Sequence, residues 1–193
     1  MSKALFIVDV QNDFTEGGAL GVAGGDAVAE RISRYLGAHA GEYSLIVASR
    51  DWHDADGDNG GHFAAGEPDF VDSWPRHCVS GTEGAEYDPA LDVSAVTHHV
   101  KKGQGKPAYS LFEGTTDAGQ TVAELLDEHG VIDVDIAGIA TDYCVRASGM
   151  DAVEHGRHVR VFTDLIAGVA PGSSDAALAE LAHAGAELAE SGV

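Results

Sequence analysis

The chain has 193 residues, 44% of them hydrophobic, and a mean hydropathy of -0.07, enough for one core without disulfide or metal staples. Eleven Lys and Arg against 32 Asp and Glu leave a formal charge of -21 at pH 7, which excludes nucleic acid and anionic membrane as partners, since both select basic surfaces. Same-sign charge on this scale keeps a protein soluble while it self-repels, a balance that halophiles use, so a high-salt cytoplasm is the expected setting.

The N-terminal segment, residues 4–10, is apolar apart from Asp9, the pattern of a strand buried on both faces of a parallel sheet. It is too short and too early interrupted for a signal peptide. Residues 25–38 carry Val28, Ile32 and Leu36 at helical spacing, with Asp26 as the expected N-cap. Residues 44–49 read as a second strand. Residues 51–94 lack periodicity and hold Gly, Pro, Asp and His, and an irregular stretch of that length is usually functional.

Further on, residues 95–101 predict a strand, 121–129 a helix, and 131–139 a strand. Residues 145–155 predict a helix, 159–163 a strand and 174–184 a helix, with a short last strand at 186–188. Strand and helix alternate, which implies a parallel sheet covered on both faces. With no internal repeat, linker or low-complexity tract, residues 1–193 read as one domain. No apolar stretch reaches the length of a membrane span, and two cysteines, Cys78 and Cys144, cannot make a disulfide framework. A cytoplasmic protein with reduced thiols is expected.

Ligands of such sheets sit outside the carboxyl ends of the strands. Those ends carry Asp9, then Asp51 with His53, then Lys101–Lys102, then the turn from Ala140 to Cys144. Cys144 stands between a buried strand and a helix, where the helix dipole and free N–H groups lower a thiol pKa and can hold an oxyanion. A lone cysteine is more often a small core residue; the company of Asp9 and a lysine argues against that here. Asp9 reads as a general base rather than a purely structural carboxylate. Only one of Lys101 and Lys102 can face the site, because strand neighbours point opposite ways. Asp51 and His53 project from one side, and His62 and His77 follow, a set suited to Zn, Fe or Mn. Solvated loop histidines are the bland alternative. Cys78, the glycine-rich residues 16–25, and His98–His99 are set aside as structural or incidental.

These residues resemble a known family. Val-Asp-Val-Gln-Asn-Asp-Phe (8–14), Asp-Trp-His (51–53), His-Phe (62–63), Ser-Trp-Pro-Arg-His-Cys-Val (73–79), Lys-Gly (102–103) and Gly-Ile-Ala-Thr-Asp-Tyr-Cys-Val (138–145) are similar to the nicotinamidase/pyrazinamidase family of isochorismatase-like cysteine hydrolases. The resemblance runs along nearly the whole chain in order. It implies a three-layer α/β/α fold with a six-stranded, mostly parallel, Rossmann-like sheet. It implies a triad of Asp9, Lys102 and Cys144, with Gly103 and Tyr109 settling the lysine for Lys102. It also implies one divalent metal ion on Asp51, His53, His62 and His77, a pyridine ring held among Phe14, Trp74 and Tyr109, and a cis peptide at Ile139–Ala140. The Ala140 and Cys144 amides would form the oxyanion hole.

The implied reaction is nicotinamide + water → nicotinate + ammonia through a Cys144 thioester, with pyrazinamide as a second substrate. Nicotinamide is thus the expected partner, and homo-oligomer formation stays open. Three rivals remain: an N-carbamoyl amidohydrolase of the same superfamily, isochorismatase proper, and a non-catalytic metal-binding domain. One departure from the family pattern stands out. His53 and His62 are nine apart with Asp54, Asp56 and Asp58 between them, longer than in close pyrazinamidase relatives, an insertion that could move His62 or let an aspartate compete for the metal.

Overall fold

Alternating strand and helix signals resolve into six strands and four helices in the computed structural model, which describes residues 2–193. The strands are β1 (Ser2–Val8), β2 (Leu45–Asp51), β3 (His98–Lys102), β4 (Val131–Ile139), β5 (His158–Ala167) and β6 (Glu187–Ala189). The helices are α1 (Gly25–His39), α2 (Val122–Glu128), α3 (Arg146–Glu154) and α4 (Pro171–His183). The strand order is β3-β2-β1-β4-β5-β6, and every pair is parallel. The expected α/β fold is therefore present.

Burial on both faces explains the apolar runs. Ala4, Phe6 and Val8 pack with Val47, Leu125, Val145 and Leu181 on one face, beneath α2, α3 and α4. Leu5 and Ile7 pack with Val28, Ile32 and Leu36 of α1 on the other. Between β1 and β4 the order of strands reverses direction, which opens a crevice at their carboxyl ends. Gly138 of β4 has a φ of 125°, and a Cβ there would overlap the carbonyl oxygen of Val8. Only glycine lets the two strands close at that point.

Several element limits differ from the sequence expectation, each for a local reason. β1 stops at Val8, before the expected residue 10, because Asp9 adopts a left-handed φ of 47°. β3 begins at His98 and not at residue 95, since the Val96 N–H turns back to Val93 O at 3.0 Å. β2 runs on to Asp51. β5 runs on to Ala167 after a break in its pairing with β4 between Ile136 and Gly138. α4 begins at Pro171, whose fixed φ suits the first helical turn. Gly24, not Asp26, is the N-cap of α1; the free N–H groups of Gly24 and Asp26 are taken by the Glu16 carboxylate, at 2.5 and 2.8 Å.

Candidate active site

Register and side-chain alternation deliver the chemistry to one place. Asp51 at the end of β2 pairs directly with Lys102 at the end of β3, so their side chains leave the same face of the sheet. Lys102 is fully buried and its Nζ lies 2.9 Å from Asp9 Oδ2 and 3.6 Å from Cys144 Sγ, while also donating to Asp51 Oδ1. Lys101 points the opposite way, to Asp117 at 2.9 Å and the ring of Trp52. The choice between the two lysines is thus made by strand parity.

Asp9 reaches the cluster by breaking that parity. In continued β-conformation it would follow Leu5 and Ile7 onto the α1 face. The left-handed φ turns its carboxylate back to the thiol side, and ligand atoms of Asp9, Asp51 and Cys144 then fall within 4.8 Å of one another. Cys144 lies in a wide turn, Thr141–Val145, whose Tyr143 and Val145 N–H groups both donate to Ala140 O at 3.1 Å. The Ile139–Ala140 peptide just before it is cis.

Electrostatics in the cluster are set by burial first. Burial pushes the Cys144 thiol well up, and the nearby Lys102 ammonium offsets only part of this. The thiol thus lies above its ordinary value and not below it as a helix N-terminus would suggest, because desolvation is the largest effect, although the turn Thr141–Val145 leads directly into α3 at Arg146. Burial likewise raises Asp9 against the pull of Lys102, which makes its carboxylate a stronger base. Burial alone would raise Asp51, but the Lys102 ammonium holds it well below the usual carboxylate range. Burial would also neutralise Lys102; Asp51 and Asp9 keep it protonated.

Beside this cluster stand three buried histidines. Ring nitrogens of His53, His62 and His77 lie within 4.8 Å of one another, and Asp51 Oδ2 is 3.6 Å from His53 Nε2 and 3.8 Å from His77 Nε2. The Nδ1–H of His53 donates to Gly103 O at 2.9 Å and that of His77 to Pro75 O at 2.7 Å, since a carbonyl can only accept. Both Nε2 atoms are thereby left as lone pairs facing inward. The His62 and His77 Nε2 atoms face each other at 3.4 Å, and buried His53 Nε2 has no hydrogen-bond partner. His62 is pushed down to about 4, by burial and then by the neighbouring imidazoles. Neutral lone pairs converging on a carboxylate oxygen fit a divalent cation, with the donor chemistry of Zn, Fe or Mn sites. Gly103 is part of this arrangement: at φ 86° its missing Cβ leaves room for the His53 ring, which would otherwise be 2.6 Å away.

The long His53–His62 connection does not disturb the cluster. Asn59, at φ 50°, uses its side chain to accept from Asp54 N–H at 2.8 Å and Gly105 N–H at 3.1 Å. Arg76 donates to the carbonyls of Ala55 and Gly57. The insertion closes on itself at the surface, its aspartates stay exposed, and His62 keeps its place. Neither expected disturbance occurs.

A cavity of about 390 Å³ opens above both clusters, with Asp51, His62, His77 and Cys144 in its lining. Phe14, Trp74 and Tyr109 form its aromatic walls, and Trp74 Nε1–H donates to Tyr109 Oη at 3.0 Å. Every site residue singled out in the sequence thus meets at this crevice or directly beneath it. Sequence reasoning missed Leu20, Phe70 and Val169, which with Tyr143 of the Ala140–Cys144 turn complete the upper wall. Leu20 sits in the glycine-rich segment set aside above; an apolar side chain in such a loop was the available signal. His98 packs on His129 and His99 on Tyr87, away from the cavity, and Cys78 is buried apart from it.

Residues 3–192 match the family model described as the isochorismatase domain. A nicotinamidase/pyrazinamidase of Mycobacterium tuberculosis is 50% identical over 186 residues, spanning 96% of this chain and 97% of that protein. Among solved structures, the pyrazinamidase of Pyrococcus horikoshii in complex with zinc superposes with a TM-score of 0.82 at 38% identity, over 98% of this chain and 99% of that one. PnC1 of L. infantum in complex with nicotinate superposes with a TM-score of 0.83 at 33% identity, over 98% and 93% of the two chains.

Proposed function

Because the chain belongs to the isochorismatase domain family, we propose that it is a nicotinamide amidohydrolase, converting nicotinamide and water to nicotinate and ammonia and accepting pyrazinamide as well. One observation carries this reading. A thiol, a carboxylate and an ammonium lie buried together at the floor of an aromatic-walled cavity, beside three histidines and a second carboxylate. The zinc in the Pyrococcus horikoshii pyrazinamidase structure and the nicotinate in the L. infantum one support it.

In this mechanism Phe14, Trp74 and Tyr109 hold the pyridine ring, and the carboxamide carbon faces Cys144. Asp9 takes the thiol proton as the sulfur attacks the carboxamide carbon. Lys102 stays protonated and balances the negative charge shared by Asp9, Asp51 and the sulfur. The tetrahedral oxyanion is held by the Ala140 and Cys144 backbone amides, worth about 3–4 kcal/mol per donor. Asp9 returns its proton to the departing ammonia, leaving a thioester. It then deprotonates the incoming water, and nicotinate is released with the thiol restored. Asp51, His53, His62 and His77 would hold one divalent ion, Zn, Fe or Mn, supplying a Lewis-acid anchor that orients the ring.

Ammonia release from nicotinamide tests the reading directly. Cys144→Ala should abolish it while leaving metal content unchanged; normal turnover by that variant would overturn the mechanism. The charge of -21 supports a further reading, a high-salt cytoplasm as the working environment. Melting temperature should then rise with KCl toward molar concentration, and a flat or falling series would remove this reading.

A further inference from the structure

Asp9 has an unusual burden for a catalytic base. It is fully buried, sits at a left-handed φ of 47° just past the end of β1, and must aim one oxygen at a sulfur. A non-glycine residue in that region costs on the order of 1 kcal/mol and persists only where its surroundings hold it. The holding group is Ser49 of β2, itself fully buried. Its Oγ–H donates to Asp9 Oδ1 at 2.7 Å, and the same Oγ lies 3.3 Å from the Asp9 N–H, which donates to it. One hydroxyl therefore grips both the backbone and the side chain of Asp9, closing a ring that fixes the carboxylate rotamer. Oδ1 is engaged; Oδ2 is left at 2.9 Å from Lys102 Nζ, without a hydrogen-bond partner of good geometry. Oδ2, ion-paired with Lys102 and not held by Ser49, is the oxygen available to the Cys144 proton.

Asp51 is gripped in the same manner by a different residue. Gln11 Nε2 donates to Asp51 O at 2.9 Å, and the Asp51 N–H donates to Gln11 Oε1 at 2.8 Å. That clamp fixes the backbone of Asp51 only, leaving its carboxylate to Lys102 and the histidines. The Ser49 clamp differs in reaching the carboxylate itself.

We infer that Ser49 is a positioning residue for the amide hydrolysis, holding Asp9 Oδ1 and its backbone N–H so that Oδ2 alone faces the thiol. This rests on the reading of Asp9 as the base. Ser49 does not line the cavity and its hydroxyl is spent on Asp9, so it acts through Asp9. Threonine keeps the hydroxyl at the same branch and should keep the clamp. Alanine removes it with little loss of volume, and cysteine keeps the volume with a much weaker donor.

The test compares Ser49→Ala, Ser49→Thr and Ser49→Cys with the parent enzyme, in metal-loaded protein normalised to its folded fraction. Misplacing a catalytic group by about 1 Å costs on the order of 100-fold, so Ser49→Ala should lower kcat about 10- to 100-fold. KM should stay within about twofold and metal content should not change. Ser49→Thr should restore kcat, and Ser49→Cys should fall short, which covers the case of a poorly folding alanine variant. The iodoacetamide alkylation rate of Cys144, read by peptide mass, should slow in Ser49→Ala but not slow further in the Asp9→Asn, Ser49→Ala double variant beyond Asp9→Asn alone. Unchanged kcat in both Ser49→Ala and Ser49→Cys, or equal slowing with and without the Asp9 carboxylate, would overturn the clamp. A parent enzyme whose turnover and alkylation survive Asp9→Asn would instead overturn the base, and the clamp with it.

Discussion

At the floor of the cavity every group of the proposed triad comes from the carboxyl end of a strand or the first residues beyond it, whereas the upper wall comes from the connections carrying Leu20, Phe70 and Val169. Asp9 and Lys102 are 0% exposed, while Phe70 and Val169 are 53% and 56% exposed. Floor groups are fixed by sheet register and by mutual charge. Rim groups are fixed by turns, such as the Asp69 carboxylate that accepts the N–H groups of Val71, Asp72 and Ser73 at 2.9 to 3.0 Å. The two regions therefore divide the work: a rigid, desolvated base for bond making, and an adaptable apolar mouth for admitting a flat ring.

Removing the central cation should break the floor most severely. Lys102→Ala would leave Asp9 and Asp51 buried together with no counter-charge, and breaking such an arrangement costs about 3–5 kcal/mol. In a domain of this size that is on the order of 10 °C in melting temperature. The loss should depend on pH. Without the ammonium both carboxyl groups titrate at higher pH than in the unfolded chain, so the folded variant binds more protons and is most stable in acid. Melts of chelated protein should show a larger deficit at pH 8 than at pH 5. An equal deficit at both values would mean that the two carboxylates are balanced by something other than Lys102.

Gly103→Ala probes the seam between the triad and the histidines and should have a smaller effect. The added Cβ would meet His53 Cε1 at 2.6 Å at a backbone φ of 86°, and the ring must turn away, losing its Nδ1–H bond to Gly103 O. Loss of such an orienting bond typically costs 10- to 100-fold in metal affinity, so a loss of about that size is expected. Zinc competition with a chelating dye would measure it, and nicotinamide turnover should become sensitive to mild chelation. Unchanged affinity would show that His53 is not held by this backbone.

How far these two regions could be read from the sequence follows the same division. β4 was legible to the residue, at 131–139, because its apolar residues, interrupted by Asp133 and Asp135, run from just after Gly130 to the polar turn at Thr141. Asp51 and Lys102 were legible as strand-end residues, and parity then separates Lys102 from Lys101. The turn at Asp9 was not legible, since a left-handed φ in a non-glycine residue has no signature in composition or spacing. Nor was Ser49, whose role exists only because β2 lies next to β1. The rim escaped for a different reason: Phe70 and Val169 come from connections nearly 100 residues apart in sequence, and no periodicity links them. The burial of Cys144, which reverses the expected direction of its thiol pKa, depends on the whole enclosure and could not be read from a strand-to-helix position alone.

The smallest effect belongs to the rim. Phe70 stands with its ring edge-on to Trp74, with centroids 6.2 Å apart at 82°, and its carbonyl accepts from Tyr143 Oη at 3.4 Å. Phe70→Ala keeps the carbonyl and removes the ring, so it thins the mouth without touching the sulfur, the carboxylates or the histidines. An edge-to-face aromatic pair is worth about 0.5–1.5 kcal/mol, which corresponds to a rise in KM of about 2- to 10-fold with kcat unchanged. Steady-state kinetics with nicotinamide and pyrazinamide would separate the two parameters. A fall in kcat equal to the rise in KM would place Phe70 in the transition state and not only at the entrance, because a group that binds substrate and transition state alike cannot lower the chemical rate. The floor and the rim would then share one energetic role, and the division drawn between them would fail at its weakest wall.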